Sequence, residues 1–223
     1  MRIVQPVATR GSLKWMQALA SLYPHILNAA IREIGGLLRD EKVRWVSPRE
    51  GDGWAEYRDR DFLVQVGQEK LTEALSVFWP RGGPQWDALG VSSNGTVLLV
   101  EAKAHLAELA STCQASPASK AVIHKSLEAT KAAFGAAPNA NWLEGYYQYA
   151  NRLAHLYFFQ KHGVPVRLVF VYFTNDADMK GPCSAREWHK GLAAVYKHLG
   201  FDSLSHVNDL VNVYIDTKLI AAN

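Results

Sequence analysis

The sequence predicts an α/β domain: a mixed central β-sheet flanked by helices. Val97-Leu98-Leu99-Val100 and Val166 to Phe173 are continuous apolar runs rich in β-branched and aromatic residues, which is how strands buried on both faces read. Between them lie two stretches of helical periodicity, Ser119 to Phe134 and Trp142 to His162. A strand, helices and a strand form a crossover, so the two runs should lie parallel in one sheet.

Ser12 to Arg39 reads as helix, with Ser12 as N-cap, apolar residues from Leu13 to Leu38 near the helical period, and Pro24 dividing it. Lys42 to Arg60 holds short alternating pieces and reads as a hairpin or an ordered loop. Its arginines interleave with Trp45, Trp54 and Tyr57, a mixture that suits nucleic acid or a domain edge sealed by cation-π contacts. Asp61 to Val77 returns to helical spacing. Ser76 to Pro80 reads as a short strand closed by Pro80 and the Gly82-Gly83-Pro84 turn. Beyond the crossover, Ser184 to Leu199 is an amphipathic helix, and Leu210 to Ile220 alternates as a final strand at a sheet edge.

With 223 residues the chain is long enough for one good-sized core, and 48% hydrophobic with 20% charged residues is a globular balance. No run approaches the ~20 apolar residues of a membrane span, and the N-terminal residues lack a signal peptide's apolar stretch, so a cytoplasmic protein without a membrane partner is expected. Cys113 and Cys183 fit neither a metal spacing nor a disulfide framework. A net charge of +3 permits a nucleic-acid partner without arguing for one. Phosphate-binding loops, dinucleotide fingerprints, nucleophile elbows and paired zinc-ligand spacings do not occur.

The chemistry concentrates after Val100. A core strand should not end in charge, yet this one runs into Glu101, Lys103 and His105, which alternation places on one face. Upstream, Trp86 to Val91 is a short apolar segment carrying Asp87, joined to the strand by Ser92-Ser93-Asn94-Gly95, a hairpin signal. A two-residue turn on Asn94-Gly95 would set Asp87 opposite Ala102, facing away from Glu101. A loop longer by one residue, or a bulge, would set it opposite Glu101 or Lys103. The second arrangement is predicted, because acids and an ammonium at the end of a buried strand are costly unless they meet one another or a cation. Two such carboxylates with the Ala102 backbone carbonyl would supply oxygen ligands for Mg²⁺ or Mn²⁺. Lys103 beside that ion would hold an attacking water or offset charge on a phosphate oxygen. A solvated edge strand with alternating charges could also produce Glu-x-Lys, but the four apolar residues before Glu101 argue against an edge.

Asp87, thirteen intervening residues, then Glu101-Ala102-Lys103 behind an apolar strand resembles the PD-(D/E)xK nuclease superfamily over roughly Leu71 to Asn175. The family's Pro corresponds to Pro84, displaced by Gln85 and Trp86. The resemblance implies a restriction-endonuclease-like fold over 61–223, with 1–60 as an N-terminal helical and loop extension of a single domain. It implies that Asp87 and Glu101 bind the metal and that Lys103 assists the nucleophilic water. A further acid from the preceding helix would be Glu69. Some groups of the superfamily place a Gln on the helix after the Glu-x-Lys strand, as Q-x-x-x-Y; here that is Gln148, with Arg152 in the fourth place. Gln148, Arg152 and His105 are the expected substrate contacts.

The function expected is metal-dependent hydrolysis of nucleic-acid phosphodiesters, DNA before RNA, with a homodimer allowed. The main rival is a catalytically idle binding module of the same fold, contacting nucleic acid or protein. A second is an enzyme using Lys103 as a free amine, which Glu101 two residues away opposes.

Overall fold

The structure is a computed structural model that describes residues 1–222. In chain order the elements are β1 (Arg2–Ile3), α1 (Gly11–Ser21), α2 (Pro24–Glu33), β2 (Val43–Ser47), β3 (Glu56–Tyr57), α3 (Asp59–Gln65), α4 (Thr72–Phe78), β4 (Ala88–Ser92), β5 (Val97–Lys103), α5 (Pro117–Phe134), α6 (Tyr147–Lys161), β6 (Val166–Thr174), α7 (Ala185–His198), β7 (Leu210–Asp216) and α8 (Thr217–Ala221). Short 3₁₀ turns stand at Glu50–Asp52, Glu69–Leu71 and Leu106–Leu109.

Five strands form the central sheet in the order β2-β4-β5-β6-β7, and β1 pairs with β3 in a separate two-stranded piece. The β2-β4 and β4-β5 pairs are antiparallel; β5-β6 and β6-β7 are parallel, so the sheet is mixed, as the crossover pattern requires. Its interior follows from alternation. Leu98, Val100 and Ala102 of β5, with Val169, Val171 and Phe173 of β6, face a core built with Met16 and Leu19 of α1, Leu27 and Ile31 of α2 and Ile220 of α8. Val97 and Leu99, with Leu168, Phe170 and Tyr172, face the opposite core, shared with Leu127 of α5, Leu153 of α6 and Trp188 of α7. Each such large apolar side chain taken fully from water contributes about 1.5–3 kcal/mol. Both crossovers, β5 to β6 and β6 to β7, therefore run over the second face, and whatever β5 presents there at its end meets α6.

Residues 1–60 supply α1 and α2 to the first face and the edge strand β2. Trp45 of β2 packs into the first core and donates its indole N–H to Asn28 Oδ1 at 3.0 Å. Four expectations are corrected. Ser12 is not an N-cap: α1 begins at Gly11 after Arg10, and the Ser12 hydroxyl turns to Glu108 instead. The helix expected over Asp61 to Val77 breaks at Gly67, whose φ of 69° belongs to the left-handed region, and resumes as α4. The strand expected at Ser76 to Pro80 is the end of α4. A short apolar run is ambiguous between the two states, and here Pro80 only forces Trp79 into extended backbone. The last strand stops at Asp216, whose carboxylate caps α8 by accepting from the Lys218 N–H. Among the described residues no helix is long and apolar enough to cross a membrane.

Candidate active site

The hairpin that carries the site closes with a loop longer than two residues. Register runs from Ala88↔Val100 to Val91↔Val97, with Ser93-Asn94-Gly95 at the tip, the Gly95 N–H donating to Ser92 O at 3.0 Å and Gly95 at φ 80°. Extended by one residue, that register brings Asp87 level with Glu101. The ladder breaks at the same point: the Asp87 N–H donates to Val100 O at 3.2 Å, and the Ala102 N–H, lacking a backbone acceptor on that strand, donates to Asp87 Oδ2 at 2.7 Å. The sheet thus lends one of its own donors to orient the first acid.

Glu101 and Lys103 follow Val97 and Leu99 onto the α6 face. Glu101 is 2% exposed and Lys103 8%. Lys103 Nζ donates to Glu101 Oε1 and, at 2.9 Å, to Gln148 Oε1 at the start of α6. One turn later Arg152, 3% exposed, donates from Nε to Glu101 Oε2 at 2.7 Å, from one terminal nitrogen to Gln85 O at 2.8 Å and from the other to Asn151 Oδ1 at 2.7 Å. Its guanidinium also lies over the Trp86 ring, 4.9 Å from the centroid. Both oxygens of the buried Glu101 are therefore held by cations. Burial works to raise its titration, but Arg152 and then Lys103 outweigh burial and leave the carboxyl below its ordinary value.

Asp87 is in the opposite condition. It sits partly exposed at the edge of the cluster, forms no ion pair among the described residues, and is raised well above the usual carboxylate range by burial first and by the Glu101 charge second, with Lys103 pulling the other way. A third acid, Glu56 of β3, is buried nearby and accepts from Gln85 Nε2 and, at 3.0 Å, from Gln5 Nε2. Burial raises it as well, the two amides oppose that, and Glu101 adds to it. Three carboxylates thus feel one another around a single lysine and a single arginine.

Asp87, Glu101, Lys103, Gln148 and Arg152 are brought together. Two expected residues are not. Glu69 is exposed on the 3₁₀ turn before α4, because the break at Gly67 swings that turn away, and it is not among the groups acting on Asp87 or Glu101. His105 leaves the strand face once β5 ends at Lys103. Its Nδ1 accepts from the Ala107 N–H at 2.9 Å, capping the Leu106–Leu109 turn. Glu56 is the residue that sequence reasoning missed; only its pairing with Gln85, two residues from Asp87, would have drawn attention to it. One turn beyond Arg152 on α6, His155, 1% exposed, is enclosed by Phe62, Phe78, Trp79 and Trp86. A free-amine role for Lys103 is opposed by its direct bond to the Glu101 carboxylate.

Against protein-family models, curated proteins and solved structures, the chain finds no match. Among the described residues no group of three or more His, Cys, Asp or Glu side chains stands ready to hold a metal ion. What the donor set offers is one unpaired carboxylate beside one that is already neutralised. Asp87 fits a hard cation, since a positive charge there would relieve the repulsion from Glu101 and Glu56. Glu101 fits less readily, because a ligand bond from it competes with Lys103 or Arg152.

Proposed function

We propose that this chain hydrolyses phosphodiester bonds of nucleic acid, DNA in preference to RNA, with Mg²⁺ or Mn²⁺, on a restriction-endonuclease-like fold. The observation that carries the reading is the convergence of Asp87, Glu101, Lys103 and Gln148 on one sheet face at the end of β5. Asp87 and Glu101, with the Ala102 carbonyl, would hold the ion, which when bound supplies a Lewis acid and a water acidic enough to attack at neutral pH. Lys103 would orient that water and offset charge on the departing oxygen, with Gln148 fixing the ammonium through its 2.9 Å bond. Arg152 sets the Glu101 carboxylate in place.

A second reading rests on a different observation. Glu101 is already satisfied by two cations, so the cluster can persist as a closed ion-pair network, and the chain would then be a binding module with an idle site. Cleavage of single-stranded and duplex DNA and of RNA, with Mg²⁺, Mn²⁺ or EDTA, separates the two. Metal-dependent scission lost in both Asp87→Ala and Lys103→Ala supports hydrolysis. Scission unaltered by either change, or absent on every substrate, rejects it in favour of the binding module.

A further inference from the structure

A cleft of about 480 Å³ lies between α3, α4 and the Pro80 to Gly83 turn. That volume lies within the range of small-molecule sites. Its walls are Leu75, Trp79 and Pro80; its floor includes His155. The ring of His155 has one nitrogen spoken for: Nδ1 stands 2.8 Å from the Asn151 carbonyl, which fixes the hydrogen on Nδ1 and leaves Nε2 a bare acceptor. Burial keeps the ring neutral, lowering its pKa to about 3. Nε2 has no partner among the described residues, and the side chain is 1% exposed. Gly83 stands over it without a side chain; a Cβ there would come within 3.8 Å of Nε2 and 3.3 Å of Trp79 Cδ1. The indole N–H of Trp79, on a side chain 4% exposed, also forms no hydrogen bond among the described residues. An unpartnered acceptor and an unpartnered donor, each on a buried side chain that lines the cleft, therefore lie on rings whose centroids are 5.0 Å apart, with apolar walls around them.

The rim adds charge. Asp59 is taken up by the Gly82 and Gly83 N–H groups at 3.0 and 2.9 Å, and Asp61 by the Met1 ammonium at 3.2 Å. Arg60 and Arg81, both exposed on the cleft, have neither ion pair nor hydrogen bond among the described residues. Two unpartnered guanidinium groups at the mouth of an apolar slot favour an anion, and phosphate above others for its match to the guanidinium fork.

We propose that this cleft binds a nucleobase bearing a phosphate: the base edge, with its adjacent acceptor and donor, meets Trp79 and His155, and the phosphate meets Arg60 and Arg81. The ligand is either a free nucleoside monophosphate or a base unstacked from a strand, since both present the same chemistry. The inference stands apart from the hydrolytic reading, because neither Asp87 nor Lys103 takes part.

Titration of the full chain with AMP, CMP, GMP and TMP, and with a short single-stranded oligonucleotide, in EDTA and followed by tryptophan fluorescence and calorimetry, tests it. Saturable one-to-one binding of at least one mononucleotide is expected if the source is free nucleotide. Binding of the oligonucleotide alone is expected if the source is a strand. In either case His155→Phe, which keeps the aromatic packing, and the exposed change Arg60→Ala/Arg81→Ala should each weaken binding by about tenfold or more, with circular dichroism unchanged. Should His155→Phe fail to fold, the arginine variant decides alone. Binding of no ligand, or equal affinity in the arginine variant, overturns the proposal. Because EDTA removes any metal requirement, that failure is distinct from failure of the cleavage experiment.

Discussion

Arg152→Met offers the sharpest test of how the cluster is held. The substitution keeps the aliphatic stem against Trp86 but removes three hydrogen bonds of 2.7 to 2.8 Å and strands the inner oxygen of a Glu101 that is 2% exposed. Breaking one partner from a buried pair costs about 3–5 kcal/mol, because the remaining charge stays out of water. At roughly 2–4 °C per kcal/mol for a chain of this size, a fall of about 6–20 °C in melting temperature follows. Urea denaturation of the parent, Arg152→Met, Glu101→Gln and the double variant closes a cycle. Glu101→Gln should cost less in the Arg152→Met background by at least about 1.5 kcal/mol, since it then removes an uncompensated charge. A loss below about 1 kcal/mol for Arg152→Met, or an equal cost of Glu101→Gln in both backgrounds, would refute the reasoning.

Other consequences follow from the same groups. Asp87→Asn retains an acceptor for the Ala102 N–H while removing a charge whose carboxyl is raised by burial and by Glu101; above the ordinary carboxylate range it should raise the melting temperature in EDTA. That gain fades as the pH falls through the raised pKa, where the parent's own acid is already protonated. His155 works with the opposite dependence: its folded pKa near 3 lies below the usual 6.5, so the unfolded chain binds the extra proton and stability declines as the pH drops below about 6.5. The decline is about 1.4 kcal/mol per pH unit, roughly 2 kcal/mol between pH 6.5 and 5, and His155→Phe should remove that share in denaturation curves taken across the window. Glu69→Ala, on an exposed turn, should leave stability within about 0.5 kcal/mol and leave any cleavage intact, whereas Glu56→Gln should raise stability at neutral pH by removing a buried acid.

How much of this was legible in the sequence varies by residue. Val97 to Lys103 was legible as a strand because four consecutive apolar residues argue against an edge, and Val166 to Phe173 because its apolar run is broken only by Arg167 near its start. Asn94-Gly95 marked the turn, and the cost of burying isolated charge chose between the two registers. Glu56 was not legible: it lies in a two-residue strand inside a loop with no period, and its importance comes from Gln85 and Gln5, which are distant in sequence. Arg152 was expected as a substrate contact on the helix after the Glu-x-Lys strand, yet it is buried, and what makes its burial tolerable is the Glu101 charge on a strand fifty-one residues away. Glu69 was misplaced because a single glycine at 67 redirected the chain, and Leu210 to Ile220 was read as one strand because the alternation runs past Asp216 into α8.

The central claim, that an unpaired acid and its neutralised neighbour hold a divalent ion beside Lys103, is tested most directly by Mn²⁺ binding followed by electron paramagnetic resonance. The parent chain should bind Mn²⁺ at one site, displaceable by Mg²⁺, and Asp87→Asn should lose it while remaining folded. Absence of binding in the parent, or binding that Asp87→Asn leaves unchanged, would contradict the account.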